Sequence, residues 1–392
     1  MQYRKNRCGE KISALGYGCM RFPQKNGSID MEKTKAQIAF AIKHGVNYFD
    51  TAYIYPGSEE AVGKIMEELG VRKDINIATK LPQYLVHSNA AIDKYFKEQL
   101  SRLRTDYIDY YLMHMMTDVA QWDNLEKCGI RQWIDDRKAE GSIRNIGFSF
   151  HGSTDMFLKI LNAYDWDFCQ IQYNYLDEYT QAGRRGLEAA RDKGIPVIIM
   201  EPLRGGRLVD LLPAKAKKLI AENSRGWTPA GWAFRWLWDQ KGVTCVLSGM
   251  NSKKMIAENI KTACETRPGS LTEEDKAFLA KVCQAIRENV KVGCTGCRYC
   301  MPCPQGVDIP SLFSSYNSMY TERKAGGRHE YMQTVAFRKE PAFATQCVRC
   351  GKCERACPQG LRIMDLIQEA DRAVRPLPYR IGYAVARKIL YR

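Results

Sequence analysis

Eight short β-prone runs, each followed by a helix-like stretch, fill the first 250 residues, and this alternation constrains the fold more than any other feature of the chain. The runs are "ALGYGCM" (14–20), "NYFDTA" (47–52), "INIATKL" (75–81), "YIDYYLMH" (107–114), "RNIGFSF" (144–150), "DFCQIQYN" (167–174), "PVIIMEPL" (196–203) and "VTCVLSGM" (243–250). Among the stretches between them, "MEKTKAQIAFAIKHG" repeats Ile38, Ala41 and Ile42 at helical spacing and stops at Gly45. Another, "SEEAVGKIMEELG", has an acidic first turn and a glycine end. Eight such units match an α/β fold, the (β/α)8 or TIM barrel. A doubly wound sheet usually has fewer strands and a glycine-rich turn after the first, and "GYGCM" is not that fingerprint. In a barrel, chemistry gathers where the strands end, because the loops there build the active face.

The composition changes near residue 290. "LTEEDKAFLAKVCQAIREN" (271–289) reads as a helix leaving the barrel, and a stretch rich in Cys, Gly and Pro follows. We expect a barrel over 1–289, a small C-terminal domain of helices and loops over 290–370, and a basic tail over 371–392. Between the two cysteine runs, "IPSLFSSYNSMYTE" reads as a helix and "RKAGGRHE" as a loop. The tail "RPLPYRIGYAVARKILYR" is partly amphipathic and is expected to pack on its own protein rather than on a membrane surface.

Eight of the fifteen cysteines lie between Cys294 and Cys357, in a chain too long to need a disulfide scaffold. The other seven (Cys8, Cys19, Cys128, Cys169, Cys245, Cys264 and Cys283) are scattered singly and read as buried hydrophobic thiols. The run "CVRCGKCERACP" places Cys347, Cys350, Cys353 and Cys357 at C-x2-C-x2-C-x3-C-P, the bacterial ferredoxin spacing for a [4Fe–4S] cluster. Three thiolates two residues apart grip three corners of a cube, and the cysteine before proline is free to reach the neighbouring cluster. By that logic Cys294, Cys297, Cys300 and Cys357 hold one cluster, and Cys347, Cys350, Cys353 and Cys303 the other. The first run, "CTGCRYCMPCP", departs from the rule, because Cys303 follows Cys300 by two intervening residues instead of three. Either the turn is tighter there or Cys303 is displaced from the metal. The competing assignment is two Zn(Cys)4 sites, which usually show separated C-x2-C pairs rather than unbroken triplets.

In the barrel, Asp50, Lys80 and His114 end the second, third and fourth runs, and Tyr55 follows Asp50 closely. Singly, these are a helix cap, a surface amine, a core histidine and one tyrosine among several, Tyr53 and Tyr84 included. Together they make an acid–base set. A phenol of pKa ~10 is a poor acid near neutrality. A neighbouring ammonium lowers that pKa, a carboxylate holds the ammonium, and a histidine orients a carbonyl or assists the proton.

With these residues in place the sequence resembles the aldo-keto reductases, and within them the branch with a C-terminal 4Fe-4S ferredoxin-like domain. The resemblance rests on "SALGYGCMR", "GVNYFDTAYIYPGSE", "IATKLP", "DYYLMHM", "IGFSF", "QIQYN", "MEPLRGG" and "AENI". It implies an NAD(P)H-dependent oxidoreductase acting on a carbonyl or alcohol substrate, with Asp50, Tyr55, Lys80 and His114 as catalytic tetrad. It also implies nicotinamide contacts from Ser149 and Gln170, a cofactor lining of Met20, Leu203, Ser248 and Gly249, and Asn259 near the adenine. This chain has Phe150 where many relatives have Asn, and Met200 where an aromatic ring often stacks on the nicotinamide. The usual 2′-phosphate base is absent from its place, with Lys253 and Lys254 nearby, so the expectation leans to NADPH over NADH and leaves a flavin open. Loops 115–127 and 151–155 are expected to set substrate choice.

From residue 286 onward there are 18 Lys/Arg against 9 Asp/Glu, most of the chain's net charge of +15. Such a basic region suits an acidic ferredoxin or flavodoxin as electron-transfer partner. No nucleic-acid motif accompanies it. No run reaches the roughly 18–20 apolar residues of a membrane span, and "MQYRKNRCGEK" lacks a signal-peptide core, so a cytoplasmic enzyme is expected. Two alternatives stand beside a redox-active reductase: a carbonyl reductase whose clusters only stabilise its C-terminal fold, and a non-catalytic electron-transfer or docking subunit. The intact tetrad argues against the second.

Overall fold

The computed structural model describes residues 1–390 except 153, 180, 295, 297, 322, 323, 337–341 and 358, with backbone alone at 333 and 386–390. The chain divides into two compact units, Met1–Gly205 with Trp227–Lys276, and Gly206–Gly226 with Ala277–Arg392.

In the first unit all eight expected runs are strands: β1 (Leu15–Gly18), β2 (Tyr48–Asp50), β3 (Asn76–Leu81), β4 (Ile108–Met116), β5 (Ile143–Phe150), β6 (Phe168–Gln172), β7 (Val197–Met200) and β8 (Val243–Ser248). Each is parallel to the next, and β8 pairs with β1 to close the barrel, with Ser248 opposite Tyr17. Side chains alternate across a strand, so each strand sends every second residue into the lumen. Tyr48, Ala78, Tyr110, Leu112, Phe168, Ile198, Cys245 and Leu247 pack together there, joined by Ile12 from the N-terminal hairpin of Tyr3–Lys5 and Lys11–Ser13. Residues of the opposite parity, such as Phe49, Ile77, Tyr111 and Val246, pack outward in the larger core.

The helices obey their local signals. Helix α1 (Met31–Lys43) is capped by Asp30, whose side chain accepts from the Lys33 N–H, and it buries Ile38 and Ala41. Helix α2 (Ser58–Leu69) ends at Gly70, left-handed at φ 66°.

The second unit holds α3 (Ile309–Thr321), α4 (Lys324–Tyr331), α5 (Ile363–Val374) and α6 (Leu377–Leu390). Helix α4 corrects the loop expected at "RKAGGRHE". Glycine weakens an isolated helix, but here packing decides: a Cβ at Gly327 would sit 2.5 Å from Met319 Cγ on α3, so the two helices approach closely only because that position is bare. Glu330 of α4 accepts from Ser314 and Ser318 at 2.6 and 2.8 Å and pairs with Arg207 at 3.2 Å. That pair and Lys215–Glu288, at 2.7 Å, tie residues 206–226 to this unit, although the compositional division puts them in the barrel. Helix α5 likewise runs through the 370/371 boundary, and its Ile367, Ala370 and Val374 lie in the unit's apolar core.

The crowded lumen yields a first prediction. A Cβ on Gly147 would lie 2.5 Å from the Phe168 carbonyl oxygen and 2.7 Å from its ring. Gly147→Ala is therefore expected to lower stability by about 1–3 kcal/mol, read as a lower urea midpoint; an unchanged midpoint would contradict this lumen packing.

Candidate active site and cluster-binding cysteines

Lumen parity brings the C-terminal residues of the strands into one layer. Asp50 and Lys80 point inward two residues beyond Tyr48 and Ala78, and Gln170 two beyond Phe168. The Lys80 ammonium donates to Asp50 Oδ1 at 2.7 Å and to the Thr51 carbonyl at 2.6 Å. Asp50 Oδ2 accepts from Gln170 Nε2 at 3.3 Å, a contact that crosses the lumen from β6 to β2. All three side chains are buried. Lys80 Nζ lies 5.3 Å from the centre of the half-buried Tyr55 ring, and the Tyr55 and His114 rings meet edge-on at 6.3 Å. The four tetrad residues are thus brought together.

The electrostatics follow from one fixed cation. Burial pulls the Lys80 amine down, but Asp50 together with Tyr55 and Cys19 more than offsets it, so Lys80 stays an ammonium. Burial, then Lys80 and His151, push the His114 imidazole down to about 3, so it is neutral at physiological pH. At Tyr55 the largest influence is Lys80, which lowers the pKa. Burial together with Asp50, Cys19 and Glu201 outweighs it, and the phenol lies above its ordinary value. This corrects the sequence expectation of a lowered phenol pKa.

Among the described residues, His114 Nδ1 and Gln170 Oε1 are buried without a hydrogen-bond partner. Orphaned polar atoms beside an otherwise satisfied ion pair are what a bound molecule with its own polar groups would complete. Ser149 Oγ accepts from the Met115 N–H at 2.9 Å, next to Gln170 in register. Ser248 Oγ accepts from Asn259 Nδ2 at 3.2 Å, both buried. Met200 and Leu203 are half-buried, Gly249 is exposed, and Met20 is 64% exposed. Lys254 reaches into solvent 4.0 Å from Glu258, while Lys253 sits 5.0 Å from the Phe40 ring centre.

Two residues of this site escaped the sequence reading. His151 lies beyond Ser149 on the same parity, a signal the alternation contained; burial lowers its pKa while Glu201 raises it. Glu201, directly after Met200, takes φ 54°, a conformation uncommon outside glycine and recurrent at functional sites.

In the second unit the cysteines line two cavities. The first, about 380 Å³, gathers Cys300 and Cys303 with Cys347, Cys350 and Cys353. The second, about 330 Å³, gathers Cys294 and Cys300 with Cys357. Cys297 lies outside the described residues.

The profile of the aldo/keto reductase family matches residues 14–268. The chain belongs to the aldo/keto reductase family. Residues 293–361 match the 4Fe-4S dicluster domain. Similar curated proteins include the L-galactose dehydrogenase of Arabidopsis thaliana, 27% identical over 72% of this chain and 93% of the relative. Another is the NADH-specific methylglyoxal reductase of Escherichia coli, 25% identical over 65% and 89%. A similar solved structure is the holo form of aldo-keto reductase AKR11C1 from Bacillus halodurans, with TM-score 0.59 and 26% identity over 72% of this chain and 96% of that one. This aldo-keto reductase is an oxidoreductase built on the family's barrel, with an iron–sulfur domain appended. No helix among the described residues is long and apolar enough to cross a membrane.

Removing one partner of the ion pair leaves a buried charge uncompensated. Lys80→Met is therefore expected to cost about 3–5 kcal/mol of stability, and the double variant Asp50→Asn/Lys80→Met to recover much of it. Equilibrium denaturation of both checks this, and equal losses in the two would show that Asp50 does not depend on Lys80.

Proposed function

We propose that this enzyme exchanges hydride between NADP(H) or NAD(H) and a carbonyl or alcohol carbon, with Tyr55 handling the proton. The observation that carries this is the buried Lys80 ammonium, held by Asp50 and facing the Tyr55 ring beside a neutral His114. The bound nicotinamide supplies or accepts the hydride at carbon. In reduction, the Tyr55 hydroxyl gives its proton to the substrate oxygen, and the adjacent ammonium stabilises the phenolate left behind. His114, neutral, orients that oxygen by hydrogen bonding without competing for the proton. Gln170 Oε1 and Ser149 suit the carboxamide of the nicotinamide, with Met20, Met200, Leu203, Ser248 and Gly249 lining the rest and Asn259 near the adenine. Lys253 and Lys254 open a helix capped by Ser252 and are the candidates for a 2′-phosphate. Two relatives are named as an L-galactose dehydrogenase and an NADH-specific methylglyoxal reductase, which supports this substrate class.

For the C-terminal domain we propose two [4Fe–4S] clusters with crossed ligation: Cys347, Cys350, Cys353 and Cys303 on one, Cys294, Cys297, Cys300 and Cys357 on the other. The grouping of the cysteines around the two cavities supports this, since it sets Cys303 with the second triplet and Cys357 with the first run. The unbroken cysteine triplets and the match to a 4Fe-4S dicluster domain support iron over zinc. The clusters would exchange electrons with an acidic ferredoxin or flavodoxin.

Tyr55→Phe is expected to lower carbonyl reduction by about 10²–10⁴-fold with iron content unchanged; full turnover in that variant would remove Tyr55 from the chemistry. Because the phenol is raised, reduction should be flat across neutral pH and fall only on the alkaline side, while alcohol oxidation climbs as pH rises. With His114 titrating near 3, no inflection from it belongs near pH 6.5. Anaerobic mixing with NADPH, followed by cluster absorbance, tests the electron route: bleaching supports it, and turnover with an unchanged spectrum assigns the clusters a purely structural role.

A further inference from the structure

Asp371 is the last acidic residue of the sequence, and Arg372, Arg375, Arg380, Arg387, Lys388 and Arg392 follow it. Most of this stretch forms α6. At about 100° per residue, Tyr379 and Tyr383 share one side of that helix, and Leu377, Ile381 and Val385 share the opposite side. Tyr383 is buried at 7% exposure, its ring 5.9 Å from that of Tyr331, and it anchors the helix to its own unit. The opposite stripe is bare: Leu377, Ile381 and Val385 are 69%, 61% and 54% exposed. An ordinary surface helix turns polar residues outward.

We propose that α6 seats this stripe in the surface of an anionic lipid bilayer, lying in the interface without crossing it. The charge pattern selects the occupant. An apolar ridge in a segment whose polar side chains are basic is the composition of an interfacial helix, where cations meet anionic headgroups and aliphatic side chains enter the acyl boundary. Asp371 is paired with Arg375 at 2.8 Å and Arg380 at 3.7 Å, and the later cations Arg387, Lys388 and Arg392 have no acidic residue following Asp371 in the sequence. A protein partner fits less well. Three aliphatic side chains present far less than the roughly 800 Å² per partner of a stable interface, and the stripe lacks the aromatic or arginine anchors that dominate such contacts. A headgroup layer requires no matching shape.

The test uses the full-length protein, purified anaerobically with its clusters, and sedimentation with vesicles of phosphatidylcholine alone or mixed with phosphatidylglycerol. The expected result is binding to the phosphatidylglycerol vesicles, weakened by added salt, with little on phosphatidylcholine alone. Ile381→Asp should lower the partition by about tenfold or more, whereas Ile381→Leu should leave it unchanged. Because residue 381 is exposed, iron content and circular dichroism should match the parent in both variants. Absence of binding to anionic vesicles, or equal binding by Ile381→Asp, overturns the proposal. So does a concentration-dependent dimer that Ile381→Asp abolishes without any vesicle binding, which would give the stripe to a second copy of this chain.

Discussion

The Asp50–Lys80 ion pair depends on barrel closure, and the site's chemistry depends on the pair. Two opposite charges removed from water are stable only when nearly every hydrogen-bonding position is filled. Here both carboxylate oxygens and two of the three ammonium protons have partners. One of those partners, Gln170, arrives from across the lumen, 120 residues away in sequence. An open sheet would not place β6 opposite β2. Once fixed, the ammonium acts on each titratable neighbour: it helps keep His114 neutral, opposes the upward drift of Tyr55, and adds to the lowering of His151.

The second unit solves a different problem. Its apolar core is small, built from α3, α5 and their neighbours around residues such as Leu312, Phe313, Ile367 and Val374. Six described cysteines of the two runs pack against that core, half-buried, so bound metal and apolar packing would support the same fold. Cys300 borders both cavities, which places the two sites next to each other within the unit. Under the proposed crossed ligation each run would be incomplete without the other, which would help hold together segments about fifty residues apart that share few aliphatic side chains.

The strand pattern was fully legible, because a barrel strand buried on both sides is apolar along its length and bounded by turns. The tetrad was legible for the same reason: polar residues at the ends of apolar runs stand out. Parity also pointed to His151, two residues beyond Ser149 on the same side of its strand. The raised pKa of Tyr55 was not legible, because it sums burial with charges from Cys19 and Glu201, far apart in sequence. The α4 helix was hidden by its glycines, which look like a loop until Gly327 is seen against Met319. The grouping of residues 206–226 with the second unit rests on ion pairs of Arg207 and Lys215 that no periodicity encodes.

Under the proposed function, the electron count links the two units. A hydride carries two electrons, whereas a [4Fe–4S] cluster passes one at a time. Where the electrons of NAD(P)H pass to the clusters in place of a carbonyl, with release of a proton, a pair of clusters takes up both and a single cluster would leave one stranded. A carrier that accepts one electron per encounter must then visit twice, and it must leave after the first visit. Binding that is electrostatic and reversible suits this better than a tight apolar interface, since charge steers encounter more than it prolongs residence. The excess of Lys/Arg in this region fits that requirement. Two clusters in an appended basic domain therefore make sense together: one feature stores the pair of electrons, and the other lets successive carriers come and go.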